Sequence, residues 1–276
     1  MVEANPSSGA PSGAVSSSAR TGFAFGGGAI IGALGGLIGL GGAEFRLPLL
    51  LGVFKYRALE AVILNKAMSL IVVATALPFR ASTVPLSAVA ASWPIILNLL
   101  AGSLIGAWLG AGWATRLSSR SLYRVIAMML VLIAVALLFG HGTEATAAYL
   151  TGASQIAAGV GAGFAIGIVA SLLGVAGGEL LIPTLVLLFG ADIKLAGSLS
   201  LAVSLPTMIV GFARYSRDRS FGVLARNKLF VIVMATGSMV GTFIGGRLLE
   251  LVPDHVLLPL LAAILVGSAW KVWRHE

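Results

Sequence analysis

Read for hydrophobicity, the chain falls into eight apolar stretches, at about residues 23–54, 58–79, 88–114, 122–140, 158–190, 193–213, 228–248 and 256–273. Short polar or basic connections separate them. Most are close to the roughly 20 residues that carry a helix across a bilayer. The first and the fifth are longer than 30 residues. Each of these two contains a glycine-rich break, then a glutamate, then a proline four residues further on. Two full helical crossings need about 40 residues, and a single crossing would leave many residues over. The length predicts a helix that goes in, breaks near mid-depth and returns to the side it came from.

The pattern is also duplicated. "GLIGLGGAEFRLPLL" (36–50) reappears without a gap as "SLLGVAGGELLIPTL" (171–185), 135 residues later. The same offset carries "GSLIGAWLG" (102–110) onto "GSMVGTFIG" (237–245). Duplicated apolar halves with Gly/Pro breaks are a feature of membrane transporters built from structural repeats. The predicted fold is an all-α polytopic membrane protein with two inverted repeats of four apolar segments, the first segment of each broken and re-entrant. Residues 23–140 form the first repeat, 141–157 the connection and 158–276 the second repeat. Residues 1–22 read as a disordered tail, rich in Ser, Ala, Gly and Pro. With no Lys or Arg before Arg20, they lack the basic start of a signal peptide.

Composition narrows the class. The chain is 58% hydrophobic and 10% charged, against about 25% charged in soluble domains. The formal charge of +8 sits between apolar stretches, which favours topology signals and anionic headgroups over nucleic acid. If stretches one and five are re-entrant, one side collects thirteen Lys and Arg, including Lys55, Arg57, Arg116, Arg120, Arg124, Arg214, Arg217, Arg219 and Lys271. The other keeps three, Arg80, Lys194 and Arg247. Single crossings would leave almost no bias. The positive-inside rule therefore predicts re-entrant segments, three crossings per half, oppositely oriented halves and both termini in the cytoplasm. The expected location is a bacterial inner membrane. Cysteine is absent, and His141, His255 and His275 do not cluster, so neither a metal nor a cofactor is expected. The glycines of "FAFGGGAIIGALGG" follow no strand and precede no lysine, so they do not read as a phosphate loop.

The candidate chemistry gathers at the breaks. Glu44 and Glu179 are matched, one per half. Gly39, Gly41, Gly42 and Pro48 shape the first predicted break, and Gly174, Gly177, Gly178 and Pro183 the second. Helix N-termini meeting near the midplane would favour an anion. The glutamates either cap short helices or carry protons, since ionisable groups at membrane depth usually face a pathway. Arg46 and Lys66 occur in the first half alone, opposite Leu181 and Leu201. They either hold an anion or form an internal ion pair, such as Lys66 with Glu44. With all four groups ionised the charge sums to zero, so one proton on a glutamate would favour anion binding. Asn65 with Ser69, and Ser200 with Ser204, place polar groups on matched helix faces. Gly102, Gly106 and Gly110, repeated as Gly237, Gly241 and Gly245, form small-xxx-small ridges. Their spacing leaves open whether they pack within one chain or between two copies in a homodimer. Trp93, Trp108, Trp113, Trp270 and Trp273 read as interfacial anchors.

These residues resemble the TauE/SafE family of sulfite exporters. The resemblance rests on "GLGGAEFRLPLL", on "GVAGGELLIPTLVLLFGADIKLAGSLSLAVSLPTMIVGFARY" and on the glycine-ridged helix of each half, and spans roughly residues 22–275. It implies an inner-membrane permease for sulfite, thiosulfate or a related organic anion. The expected function is secondary transport of a small organic or sulfur-containing anion by alternating access, coupled to protons. A passive anion channel and a non-transport scaffold are the alternatives. No nucleophile–base set points to an enzyme.

Overall fold

The computed structural model describes residues 17–36, 42–80, 84–140, 150–248 and 254–274. Among these, regular structure is helical throughout. The first half contains α1 (Ser17–Gly36), α2 (Ala43–Gly52), α3 (Ala58–Arg80), α4 (Leu86–Ala91), α5 (Trp93–Ala114) and α6 (Ser119–Gly140). The second contains α7 (Gly152–Leu173), α8 (Gly178–Phe189), α9 (Ile193–Tyr215), α10 (Gly222–Arg226), α11 (Lys228–Leu248) and α12 (Asp254–Trp273). The two long stretches became the pairs α1–α2 and α7–α8, each broken where the glycines lie. α1 and α7 begin at Ser17 and Gly152, about six residues before the hydrophobic pattern starts. Small polar residues extend a helix without registering as apolar.

The glycine ridges decide how the halves pack. Gly102, Gly106 and Gly110 on α5 face the backbone of Val160, Phe164 and Ile168 on α7. Gly237, Gly241 and Gly245 on α11 face Phe25, Ala29 and Ala33 on α1. Each of these contacts is the other shifted by 135 residues. The α1 and α7 sides match in the same way: Gly28 meets Met234 and Gly32 meets Ser238, while Gly163 meets Leu99 and Gly167 meets Ser103. Each half therefore lays its first helix on the ridge of the other, within one chain. Helices in lipid have no hydrophobic drive to associate, so close van der Waals approach through small residues holds them. A Cβ at Gly106 would overlap the Phe164 carbonyl oxygen. Gly106→Val is accordingly expected to cost about 2 kcal/mol or more of stability by overpacking. Gly267→Ala, at a site with no atom within 4 Å of the added methyl, should leave the melting temperature in detergent almost unchanged.

Side-chain contacts also define the two ends. At the start of α3, Glu60 pairs with Arg226 of α10 at 3.1 Å and Tyr56 donates to Asn227 Oδ1 at 2.8 Å. Arg214, ending α9, lies beside Gly112 near the end of α5. Arg124, early in α6, stands 5.8 Å over the Trp273 ring that ends α12. Arg57, Arg124, Arg214, Arg226, Lys228 and Lys271 thus share one end. Lys194 opens α9 at the other.

Among the described residues, six helices are long and apolar enough to cross a bilayer: α3, α5, α6, α7, α9 and α11. α7 is among them, although the sequence pattern predicts a returning segment there. Its 22 residues meet the length requirement, but length alone does not distinguish a crossing from the long leg of a hairpin. Gln155 Nε2, near the start of α7, donates to Leu188 O at 2.7 Å, near the end of α8. The start of α7 and the end of α8 therefore lie together. In the first half, Gly27 of α1 likewise meets Leu49 of α2.

Candidate functional site

The breaks fall upstream of the prolines. Gly42 precedes α2 with φ 68° and Gly177 precedes α8 with φ 83°. This left-handed backbone is strained for other residues. Gly178 is the first residue of α8, and Gly174 ends α7. Gly39 and Gly41 lie outside the described residues. Pro48 and Pro183 do not break the chain: they sit inside α2 and α8. Each stands four residues after its glutamate and lacks the N–H that would bond that glutamate's carbonyl in a regular helix. Tertiary packing carries the helix past this point.

Glu44 and Glu179 therefore occupy the second position of two short helices whose N-termini lie deep in the protein. Both are buried, at 0% and 3% exposure. Their carboxyl groups lie near enough to repel each other when both are ionised. Both Glu44 oxygens and Glu179 Oε2 have no hydrogen-bond partner. Two ionised carboxylates only accept hydrogen bonds, so neither satisfies the other.

Arg46, one turn into α2, is fully buried. Its Nε donates to Asn65 Oδ1 at 2.7 Å, one terminal nitrogen to Ser69 Oγ at 2.6 Å and the other to Ser238 Oγ at 3.2 Å. Three neutral acceptors from α3 and α11 thus hold the guanidinium; among the described residues no carboxylate is hydrogen-bonded to it, and Glu44 acts on it only through space. Asn65 Nδ2 in turn donates to Ala43 O and Leu173 O, both at 3.0 Å, tying the two breaks together.

Lys66 lies elsewhere. No ion pair joins it to Glu44; its Nζ donates to Ala170 O at 3.1 Å, in the last turn of α7. Successive helix positions differ by about 100°, so Asn65 bridges Arg46 and the last residue of α7, while Lys66 meets α7 three residues earlier and does not reach Arg46. A cation suits the negative end of that helix dipole. Ser200 and Ser204 do not mirror Asn65 and Ser69. Ser200 Oγ bonds its own helix at Gly197 O (2.8 Å), and Ser204 Oγ donates to Ala176 O at the second break (2.8 Å). Ser238 was legible as half of a repeated Gly-Ser pair but reads from sequence as packing alone. Among the described residues no three His, Cys, Asp or Glu side chains cluster as metal ligands.

The model of the family described as Sulfite exporter TauE/SafE matches residues 24–272. The chain belongs to the TauE/SafE family. No curated protein matches it, and no solved structure does. The match makes this TauE/SafE chain a multi-pass membrane transporter. It covers both breaks, so Glu44, Arg46, Lys66 and Glu179 all stand within the family's own region. Two cavities, about 470 and 220 Å³, flank α1 and α2 and are lined mainly by apolar residues such as Phe23, Ile30, Leu49 and Val53. Neither is lined by Arg46, and Arg46, Glu44 and Glu179 are themselves buried, so this centre is closed to solvent in this conformation.

Proposed function

We propose that this protein moves a small sulfur oxyanion, sulfite or a close relative, across a bacterial inner membrane by proton-coupled alternating access. Arg46 anchors the anion and the Glu44–Glu179 pair carries the proton. The observation that carries this reading is the Arg46 guanidinium, buried and held by neutral acceptors from both halves. No ion pair fixes its charge to a carboxylate, and its planar fork suits two oxygens of an oxyanion. Asn65, Ser69 and Ser238 would release hydrogen bonds to the arriving anion or add their own.

The proton follows from charge. A single proton shared by the carboxyls converts two acceptors into a donor–acceptor pair and leaves one net positive charge with Arg46 and Lys66. Anion and proton then bind together and move together. The reciprocal ridges support inverted halves related by a pseudo-twofold axis, rocking about the site. The gathered basic end supports a cytoplasmic placement for that face and for both termini. A channel would need a continuous wet path, and the closed centre does not favour it.

Purified protein titrated with sulfite is expected to bind it saturably. Vesicles containing the protein should move radiolabelled sulfite in the direction of an imposed proton flow. No saturable binding, or transport indifferent to the pH gradient, would contradict the proposal.

A further inference from the structure

The buried polar groups around Lys66 are not used by the central site. Lys66 is fully buried, and an ammonium carries three donors. Its one hydrogen bond among the described residues goes to Ala170 O. Next in the chain, Ser171 Oγ is buried with no partner. Opposite both stands Gly211 of α9. A Cβ there would lie 2.9 Å from Ser171 Oγ, 3.1 Å from Lys66 Cε and 3.4 Å from Lys66 Nζ. A methyl would thus crowd the point onto which a donor-rich cation and an orphaned hydroxyl converge.

The other half argues against a packing role. The positions matching Lys66, Ser171 and Gly211 are Leu201, Gly36 and Ala76, with no polar side chain among them. The repeat folds without this cluster. Its place in the molecule is also ordered. On α3, Lys66 follows Asn65, which bonds Arg46. On α9, Gly211 precedes Arg214 by three residues and Tyr215 by four, about one turn. Arg214 and Arg217 then stand 5.5 and 4.9 Å from the Trp108 ring at the basic end. Cations therefore mark a line from the centre to that end. Two bonds close it: Lys66 Nζ to Ala170 O, and Tyr215 OH to Ser171 O at 2.9 Å.

We propose that Lys66, Ser171 and Gly211 form a second, transient anion station between Arg46 and the arginine-bearing end of α9. This rests on Arg46 being the anion's anchor. On opening, the anion replaces Ala170 O as the partner of Lys66 and takes a hydrogen bond from Ser171 Oγ. Gly211 provides the space. The station speeds passage and contributes little to equilibrium binding at Arg46.

The test compares sulfite binding by calorimetry with radiolabelled sulfite transport in vesicles, for the full chain carrying Lys66→Leu, Lys66→Arg or Gly211→Ala. Lys66→Leu installs the residue that the other half tolerates. Gly211→Ala is expected to slow transport about 10-fold or more while sulfite affinity stays within about threefold; Lys66→Leu, which also removes a charge from the central balance, should slow transport at least as much and weaken binding. Lys66→Arg should recover much of the rate. If Lys66→Leu fails to fold, Gly211→Ala decides, because it leaves Lys66 and its charge in the protein. Wild-type rates in Lys66→Leu and Gly211→Ala would overturn the station alone. Loss of binding together with rate in Gly211→Ala would place these residues in the primary site and overturn it as well. A wild-type protein that neither binds nor carries sulfite would bring down the reading of Arg46 too.

Discussion

Arg46→Met is expected to abolish sulfite binding and transport. Methionine fills a similar length of apolar space but offers no donor. Asn65 Oδ1, Ser69 Oγ and Ser238 Oγ lose the groups that hold them at 2.7, 2.6 and 3.2 Å. Leaving a buried polar atom unsatisfied costs about 1–3 kcal/mol, so some loss of stability accompanies the loss of function. Arg46→Lys separates the two effects. It keeps the charge but loses the planar fork. Hydrogen bonds to charged groups contribute about 1.5–3 kcal/mol each, and 1.4 kcal/mol is about tenfold in affinity. Arg46→Lys should therefore bind sulfite about 10- to 100-fold more weakly while melting close to wild type. Calorimetric titration and a thermal melt on the same sample check both. Wild-type affinity in Arg46→Met would remove Arg46 from the site.

Glu44→Gln and Glu179→Gln carry the other large effect. Two unit charges about 4 Å apart repel by about 4 kcal/mol at an effective dielectric near 20. The buried pair, with three orphaned oxygens, is relieved by one shared proton. Glutamine keeps the size and supplies a permanent donor but cannot release that proton. Accumulation of sulfite driven by a pH gradient should fall to the level of empty vesicles in either variant. Exchange of sulfite against sulfite, which needs no net proton movement, should persist. Wild-type affinity for sulfite should rise as pH falls, because the proton leaves Arg46 and Lys66 in excess. Affinity in the glutamine variants should depend on pH much less. Gradient-driven accumulation surviving in both variants would show that the proton travels elsewhere.

Much of the fold was legible because its signals are local. Stretches of apolar residues near bilayer length became α3, α5, α6, α9, α11 and α12 within a few residues. Small residues repeated every fourth position could only serve close packing, and they do. The breaks were legible from glycine, which alone adopts the backbone of Gly42 and Gly177 freely. The prolines misled, since a proline near a break looks like its cause. Pro48 and Pro183 lie inside helices because their surroundings hold the turn together despite the missing donor.

The candidate site was legible in part. Glu44 and Glu179 announced themselves as charged residues matched across a duplication in apolar sequence. Arg46 and Lys66 stood out as charges without a match. Nothing in the sequence could separate them, because whether neighbours on a helix share a pocket depends on rotation against other helices. Asn65 and Lys66 are adjacent in the chain, yet Asn65 bonds Arg46 and Lys66 does not. The roles of Ser238 and Tyr215 were not legible for the same reason: a serine in a ridge and a tyrosine ending a helix are ordinary until a distant partner arrives.

By itself the sequence determined the solvent of this protein, its helices, its duplication and the positions of its breaks. Those follow from backbone preference and transfer from water, which act on each segment alone. Tertiary structure decided which partner each charge keeps, that two carboxyls from separate halves face each other, and that Lys66 turns from the centre toward Ser171 and Gly211. These depend on how separate helices cross, and a crossing is set by the packing of surfaces that lie far apart in the chain.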